Sequence, residues 1–130
     1  MPLKLTLAGV DLEKTVAFYR EILLFPPESI VPPAAESSFV TMFFGEMEVV
    51  FQDRNAMEAR HPALFQNLTR DPFGVGIRLE LSCVNLDDVY RMIKYYHWPI
   101  AYELDDQEHH RRELWLHDPD GYLLALTEEK

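Results

Sequence analysis

Arg111-Arg112-Glu113-Leu114-Trp115-Leu116-His117, followed by Asp118-Pro119-Asp120-Gly121 and then Tyr122-Leu123-Leu124-Ala125-Leu126, is the stretch that decides the fold. Its first segment alternates polar and apolar side chains, its last is apolar throughout, and the four residues between them are turn formers. Proline presets the backbone angle for an early turn position and glycine accepts a positive φ, so the chain reverses there between two strands. The alternation puts Leu114 and Leu116 on one face of the hairpin, with Glu113 and Trp115 on the other.

The hairpin closes the second of two passes through one plan. Leu3 to Val10 alternates weakly, with Leu3, Leu5 and Leu7 on one face and Lys4, Thr6 and Ala8 on the other, which predicts a half-buried strand. Asp11 stands where a helix N-cap is wanted, and Leu12, Val16, Tyr19 and Leu23 follow at helical spacing, giving an amphipathic helix over Leu12 to Leu24. Phe25-Pro26-Pro27 ends it. An irregular crossing from Glu28 to Ser37, with room for a short strand near Ile30, leads to two strands, Ser38 to Phe44 and Met47 to Gln52, joined by a turn at Gly45-Glu46. Arg54 to Thr69 reads as a linker with a helical turn or two, interrupted by Pro62 and closed by Asp71-Pro72-Phe73-Gly74.

The second pass begins with a strand from Ile77 to Val84, whose faces carry Ile77, Leu79, Leu81 and Cys83 against Arg78, Glu80 and Ser82. Asn85 caps a helix bearing Leu86, Val89, Tyr90 and Ile93, which Pro99 ends, and a strand is expected over Ile100 to Leu104, with a polar loop from Asp105 to His110. Val10-Asp11-Leu12-Glu13 superimposes on Val84-Asn85-Leu86-Asp87 at an offset of 74 residues, and the same offset sets Lys4 over Arg78. Each half is thus β-α-β-β-β. The expected organisation is one domain, with a first module over residues 1–53, a linker over 54–74 and a second module over 75–130.

Composition limits the function classes. Twenty-two acidic residues against twelve basic ones give a formal charge of -10, a field that repels nucleic acid and anionic membranes; it either keeps the protein soluble or draws a cationic ligand. The longest apolar runs fall short of the roughly 18 residues of a membrane span, and the N-terminus Met1-Pro2-Leu3-Lys4 lacks a secretory pattern, so a cytoplasmic location is expected. Cys83, the one cysteine, sits in an apolar strand pattern as a small core residue.

The segment Asp-Leu-Glu-Lys-Thr-Val-Ala-Phe-Tyr at Asp11 to Tyr19, together with Asp118-Pro119-Asp120-Gly121-Tyr122, resembles the vicinal oxygen chelate superfamily, which groups glyoxalase I, bleomycin-resistance proteins, fosfomycin-resistance enzymes and extradiol dioxygenases. The resemblance covers essentially the whole chain. It implies an α+β fold in which two βαβββ modules form curved sheets around a shared cavity. The faces carrying Lys4, Thr6, Arg78, Glu80 and Ser82, and less directly Glu113 and Trp115, would look into it.

Metal-dependent members of that superfamily carry His or Glu ligands on the first and last strand of each module. The resemblance sets the first-strand ligands seven residues before each helix cap, at Lys4 and Arg78, and the last-strand ligand of the second module four residues after Gly121, at Ala125. The matching first-module position is expected at Val49, with Glu48 and Phe51 as alternatives because the turn before it is short. Protonated lysine and arginine have no lone pair to give, and alanine has no donor. The five histidines, His61, His97, His109, His110 and His117, show no partner at ligand spacing on a common strand face. The expectation is no metal and no cofactor.

In place of a metal, Arg78 and Lys4 suit a carboxylate or phosphate, or else pair with Glu80, Glu113 or Glu48 and balance charge. Trp115 is a platform for a planar or cationic ligand, or plain core. The candidate ligand-binding residues are Lys4, Arg78, Glu80, Glu113 and Trp115. Similarity is strongest to the metal-free, acidic bleomycin-resistance type, implying a protein that binds a small molecule, an antibiotic or another bulky ligand, and forms a homodimer. The second expectation is a glyoxalase-type lyase, isomerase or dioxygenase with a relocated site, in which Glu48, Glu80 or Glu113 acts as base and Arg78 steadies an oxyanion.

Overall fold

The computed structural model describes residues 3–31, 38–65 and 73–128. Two four-stranded mixed sheets carry the chain. In the first, β1 (Lys4–Gly9) pairs in parallel with β4 (Met47–Asp53), which pairs antiparallel with β3 (Phe39–Phe44) and through it with the two-residue β2 (Ile30–Val31). The second repeats this order with β5 (Arg78–Cys83), β8 (Leu123–Glu128), β7 (Arg111–His117) and β6 (Tyr102–Asp106). One edge strand of each sheet is therefore the first strand of its module, β1 or β5. The crossing around Pro32 and Pro33 and the Asp71-Pro72 half of the turn that closes the linker lie outside the described residues.

Each module's first strand leads into a capped helix. The Asp11 carboxylate accepts from the amides of Glu13 and Lys14 at the start of α1 (Leu12–Ala17), and Asn85 Oδ1 accepts from the amide of Asp88 at the start of α4 (Leu86–Tyr95). The two helices differ in one respect that the repeat explains. Thirteen residues separate Asp11 from Leu24, but twelve separate Asn85 from His97, and Leu24 and His97 are the left-handed residues (φ 57° and 55°) at which each helix turns away. The extra residue of the first helix is taken up by a π-helical turn over Phe18–Ile22, the usual accommodation of a one-residue insertion. A single regular helix over Leu12 to Leu24 was the expectation, and neither Leu24 nor His97 is the glycine that normally marks such an end.

The remaining differences are small. The strand expected over Ile100 to Leu104 runs over Tyr102–Asp106 instead, because Asp105 and Asp106 pair in register with Arg112 and Arg111 and extend the ladder into the expected loop. The linker forms α2 (Arg54–Arg60), capped by Asp53, and after His61 a short α3 (Pro62–Phe65).

The helix-covered faces of both sheets meet in one core. Leu7, Val40, Met42, Val49 and Phe51 from the first sheet join Leu114, Leu116, Leu124 and Leu126 from the second, with Phe18, Tyr19, Ile22, Leu86, Val89 and Ile93 from the helices. α4 packs on the π turn, and Phe18 lies 4.9 Å from Trp98 by ring centroids. Val49, expected at the first-module ligand position with Glu48 and Phe51 as alternatives, is fully buried in the core, as is Phe51, while Thr6 stands opposite Val50 just as Glu80 stands opposite Ala125. The first-module counterpart of Ala125 is therefore Val50.

The closing turn joins the two modules. Asp118 Oδ1 accepts from the amides of Asp120 and Tyr122, while its Oδ2 accepts from the buried Tyr19 hydroxyl at 2.8 Å. Asp120 accepts from the Val10 amide and from Thr15 Oγ1, both at 2.9 Å, and the Tyr122 hydroxyl donates to the Ala8 carbonyl at 2.8 Å. Gly121 supplies the positive φ (96°) that lets one carboxylate reach both following amides.

Burial raises the Asp118 carboxyl to about 6, against the opposing pull of the Tyr19 hydroxyl and the two amides that stabilise its ionised form. A folded-state value above the unfolded one means that this group's contribution to stability is complete below about pH 3.8 and is lost as pH rises through about 6. Replacing Asp118 by Asn keeps the size and most of the acceptors but removes the titration. Denaturant melts of both proteins from pH 3.5 to 7.5 should show the wild type losing stability relative to Asp118→Asn as pH rises through that window; parallel curves would refute the assignment. Asp120→Ala, which strands the Val10 amide and leaves Thr15 Oγ1 only the Asp11 carbonyl at 3.2 Å, should cost about 1–3 kcal/mol.

Candidate functional site

With the helices on one face of each sheet, the other faces are left uncovered, and the candidate residues stand on them. On the second sheet Arg78, Glu80 and Ser82 alternate outward along β5 and all are exposed. The register places Glu80 opposite Ala125, Ala125 opposite Trp115, and Trp115 opposite Tyr102, so these four residues form a row across all four strands. Arg78 begins one row away, opposite Leu123. Its guanidinium nevertheless lies 4.8 Å from the centre of the Trp115 ring, two strands over. Ala125 makes this reach possible, because a larger side chain there would stand between arginine and indole.

Trp115 is itself held. Its Nε1 donates to Glu113 Oε1 at 3.2 Å, Glu113 Oε2 accepts from Arg111 at 3.1 Å, and the Tyr102 ring meets the indole edge-on at 5.1 Å. Arg111, Glu113, Trp115 and Arg78 thus form a chain of contacts ending on a guanidinium whose donors are free. Among the described residues the Arg78 side chain makes no hydrogen bond or ion pair to any protein group, and neither does that of Glu80. Trp98, the second indole, is engaged elsewhere, donating to the His117 carbonyl at 2.8 Å.

On the first sheet the corresponding face carries Lys4, Thr6, Glu48 and Val50, with Phe39, Thr41 and Phe43 opposite Gln52, Val50 and Glu48. Lys4 Nζ is 3.9 Å from Glu48 Oε1, and both side chains are exposed, so the pair is weak. No hydrogen bond or ion pair joins Lys4 to Arg78, Glu80, Glu113 or Trp115 within the chain. Phe39 and Phe43 are also well exposed, which is unusual for two phenylalanines on one sheet face.

An open cleft of about 830 Å³ runs beside the free edge of β5, walled by Leu24, Phe25, Phe43, Phe44 and Met47 on the first-module side. A shallower polar depression of about 450 Å³ lies at the opposite edge, around Asp105, Asp106, Arg111 and Arg112, away from the Arg78–Trp115 contact. Among the described residues no group of three or more His, Cys, Asp or Glu stands together as a metal site, and no helix is long and apolar enough to cross a membrane. The two strands that carry ligands in metal-dependent relatives present Lys4 with Val50 in one module and Arg78 with Ala125 in the other, a set without a single metal donor at neutral pH.

Two βαβββ modules of this topology define a paired-module α+β class of small domains. The chain belongs to the Glyoxalase/Bleomycin resistance protein/Dioxygenase superfamily, whose family model matches residues 3–126. Solved structures share the fold at low sequence identity. A protein of unknown function from Agrobacterium tumefaciens strain C58 superimposes with a TM-score of 0.74 at 20% identity, covering 100% of this chain and 95% of that one. A fosfomycin resistance protein from Listeria monocytogenes gives 0.66 at 15% identity, covering 100% and 93%, and a lactoylglutathione lyase from Agrobacterium tumefaciens gives 0.65 at 15%, covering 98% and 92%. No curated protein matches the chain in sequence.

Sequence reasoning named Arg78, Glu80, Glu113 and Trp115 but missed Arg111, Tyr102 and the part played by Ala125. The signal for Ala125 was its place in the last strand, read there only as a lost ligand; Tyr102 needed the register of β6. In a Trp98→Phe background, where Trp115 is the sole indole, Glu113→Ala should increase acrylamide quenching of its emission, because the anchored Nε1 is released. Unchanged quenching would show that the Glu113 contact does not hold the ring.

Proposed function

We propose that this chain is a metal-independent small-molecule-binding protein that acts as a homodimer, with its ligand on the uncovered face of the second sheet. The observation that carries the reading is Arg78, laid on Trp115 with its donors unused, at the strand position where metal-dependent relatives hold a ligand. A guanidinium fork does part of what a divalent ion does: it attracts and orients an oxyanion, with hydrogen bonds in place of coordination. The named neighbours, a lyase and an antibiotic-resistance protein, support a small-molecule role for the fold. An antibiotic is one such ligand.

The dimer follows from what one chain leaves unfinished. β1 and β5 each present a free edge, the apolar cleft beside β5 is open, and exposed Phe39, Phe43 and Tyr102 lie on the uncovered faces. A two-fold partner that set its β1 against this β5 would satisfy both edges twice and bring Lys4 and Phe43 of one copy over Arg78 and Trp115 of the other. Such a dimer would enclose the cavity that one chain cannot. Light scattering should give twice the 15.2 kDa chain mass at micromolar concentration; a monomer there would contradict this assembly.

One observation favours an enzyme as the second reading. Glu80 is an exposed, unpaired carboxylate two residues from Arg78 on the same face, an arrangement suited to removing a proton beside a carbonyl while arginine steadies the oxyanion. Binding without turnover remains the simpler chemistry for the set.

The test is a tryptophan-quenching screen of small molecules, bleomycin among them, run in EDTA. Saturable binding at one site per chain, lost in Trp115→Ala and Arg78→Ala and indifferent to the chelator, is expected. Hits that require an added divalent metal, or that survive both substitutions, would overturn the reading.

A further inference from the structure

Arg78 and Glu80 carry opposite charges on the same face of one strand, their Cα atoms about 7 Å apart, yet they do not pair. The guanidinium has crossed to Trp115, while Glu80 stays in the row of Ala125, and no ion pair forms between them. A surface arginine and glutamate two residues apart ordinarily drift together or into solvent. Here arginine is detained by the indole, and the indole is in turn fixed by Glu113 and Arg111. Arg78 thus crosses over Ala125, whose methyl group is buried, and a cation and an anion are left without protein partners side by side on the open face.

The rest of the face bears on what would fit. Glu113 is already neutralised by Arg111, so the free charges of this face, Arg78 and Glu80, sum to zero and a doubly charged anion gains nothing from them. A bare carboxylate would satisfy Arg78 but lie beside an unscreened Glu80, and a simple cation would satisfy Glu80 while facing Arg78. Tyr102, about half exposed and edge-on to Trp115, continues the row with an apolar surface on the far side of the indole. From these contacts we infer that the Arg78–Glu80 pair binds a compact zwitterion with an apolar body, of the class of aromatic or bulky α-amino acids, the carboxylate on Arg78, the ammonium on Glu80 and the side chain toward Trp115 and Tyr102. This rests on the binding reading above and narrows its ligand class.

The experiment uses the full chain and three probes, L-phenylalanine, 3-phenylpropanoate and 2-phenylethylamine, measured by calorimetry in EDTA. L-phenylalanine should bind once per chain and each half-charged analogue about tenfold more weakly, the loss expected for one charge-assisted contact. Glu80→Gln should weaken L-phenylalanine about tenfold and, with the repelling carboxylate gone, strengthen 3-phenylpropanoate; Arg78→Ala should bring L-phenylalanine down to the level of 2-phenylethylamine. Both positions are exposed, so thermal melts should confirm that the variants remain folded. Equal or tighter binding of either analogue to the wild type would overturn the zwitterion assignment, as would absence of binding by all three at millimolar concentration. In that last case, quenching-screen hits that depend on Arg78 and Trp115 would leave the binding reading standing alone, and their absence too would remove both.

Discussion

Two carboxylates hold this fold together. Asp118 and Asp120 lie in a turn at the far end of the chain from α1, yet between them they accept from the Tyr19 hydroxyl, the Val10 amide and the Thr15 hydroxyl. Each of these donors is buried or sits at a helix start, where a missing acceptor costs more than a hydrogen bond contributes. Asp118 has to be desolvated to do this, which is why its proton is held so much more tightly than in a free carboxyl. Proline and glycine shape the turn; the aspartates between them dock it.

That docking determines which surfaces are available for function. With the second hairpin fastened beside α1, both helices pack into the common core and each sheet turns its other face outward. The alternation of side chains, which puts Leu79 and Leu81 inside, then has no choice but to put Arg78 and Glu80 outside. A one-residue shift of β5 would exchange the two sets, so packing the core and presenting the site are a single event. The same logic moves the first-module position from Val49 to Val50: Val49 is committed to the core by its neighbour Leu5, and the residue that faces outward cannot be it.

Much of this was legible in the residues. The internal repeat, both helix caps, the hairpin, the inward leucines and four of the five candidate site residues that share a face on the second sheet follow from period and turn chemistry. What escaped was whatever depends on contacts distant in sequence. The π turn is invisible in a helical pattern and emerges only when the two modules are counted against each other. Leu24 and His97 end helices without glycine because the Phe25 and Trp98 amides bond back to Tyr19 and Ile93 and hold them there. Lys4 was grouped with Arg78 by its place in the repeat, but within one chain it stands on the other sheet beside Glu48. The meaning of Ala125 changed most: as a residue type it is a missing ligand, and in register it is the gap through which Arg78 reaches Trp115.

In the function proposed, Arg78 on the Trp115 indole does the work of a divalent ion on this sheet. Elemental analysis of the chain, purified without chelator from cells grown with added manganese, iron, nickel and zinc, tests it most directly. Less than about one-tenth of an equivalent of any divalent metal per chain is expected, because a stable site needs roughly three or four ligands and no such group stands together among the described residues. A stoichiometric ion that is retained through gel filtration and lost in Glu80→Gln or Glu48→Gln would contradict it.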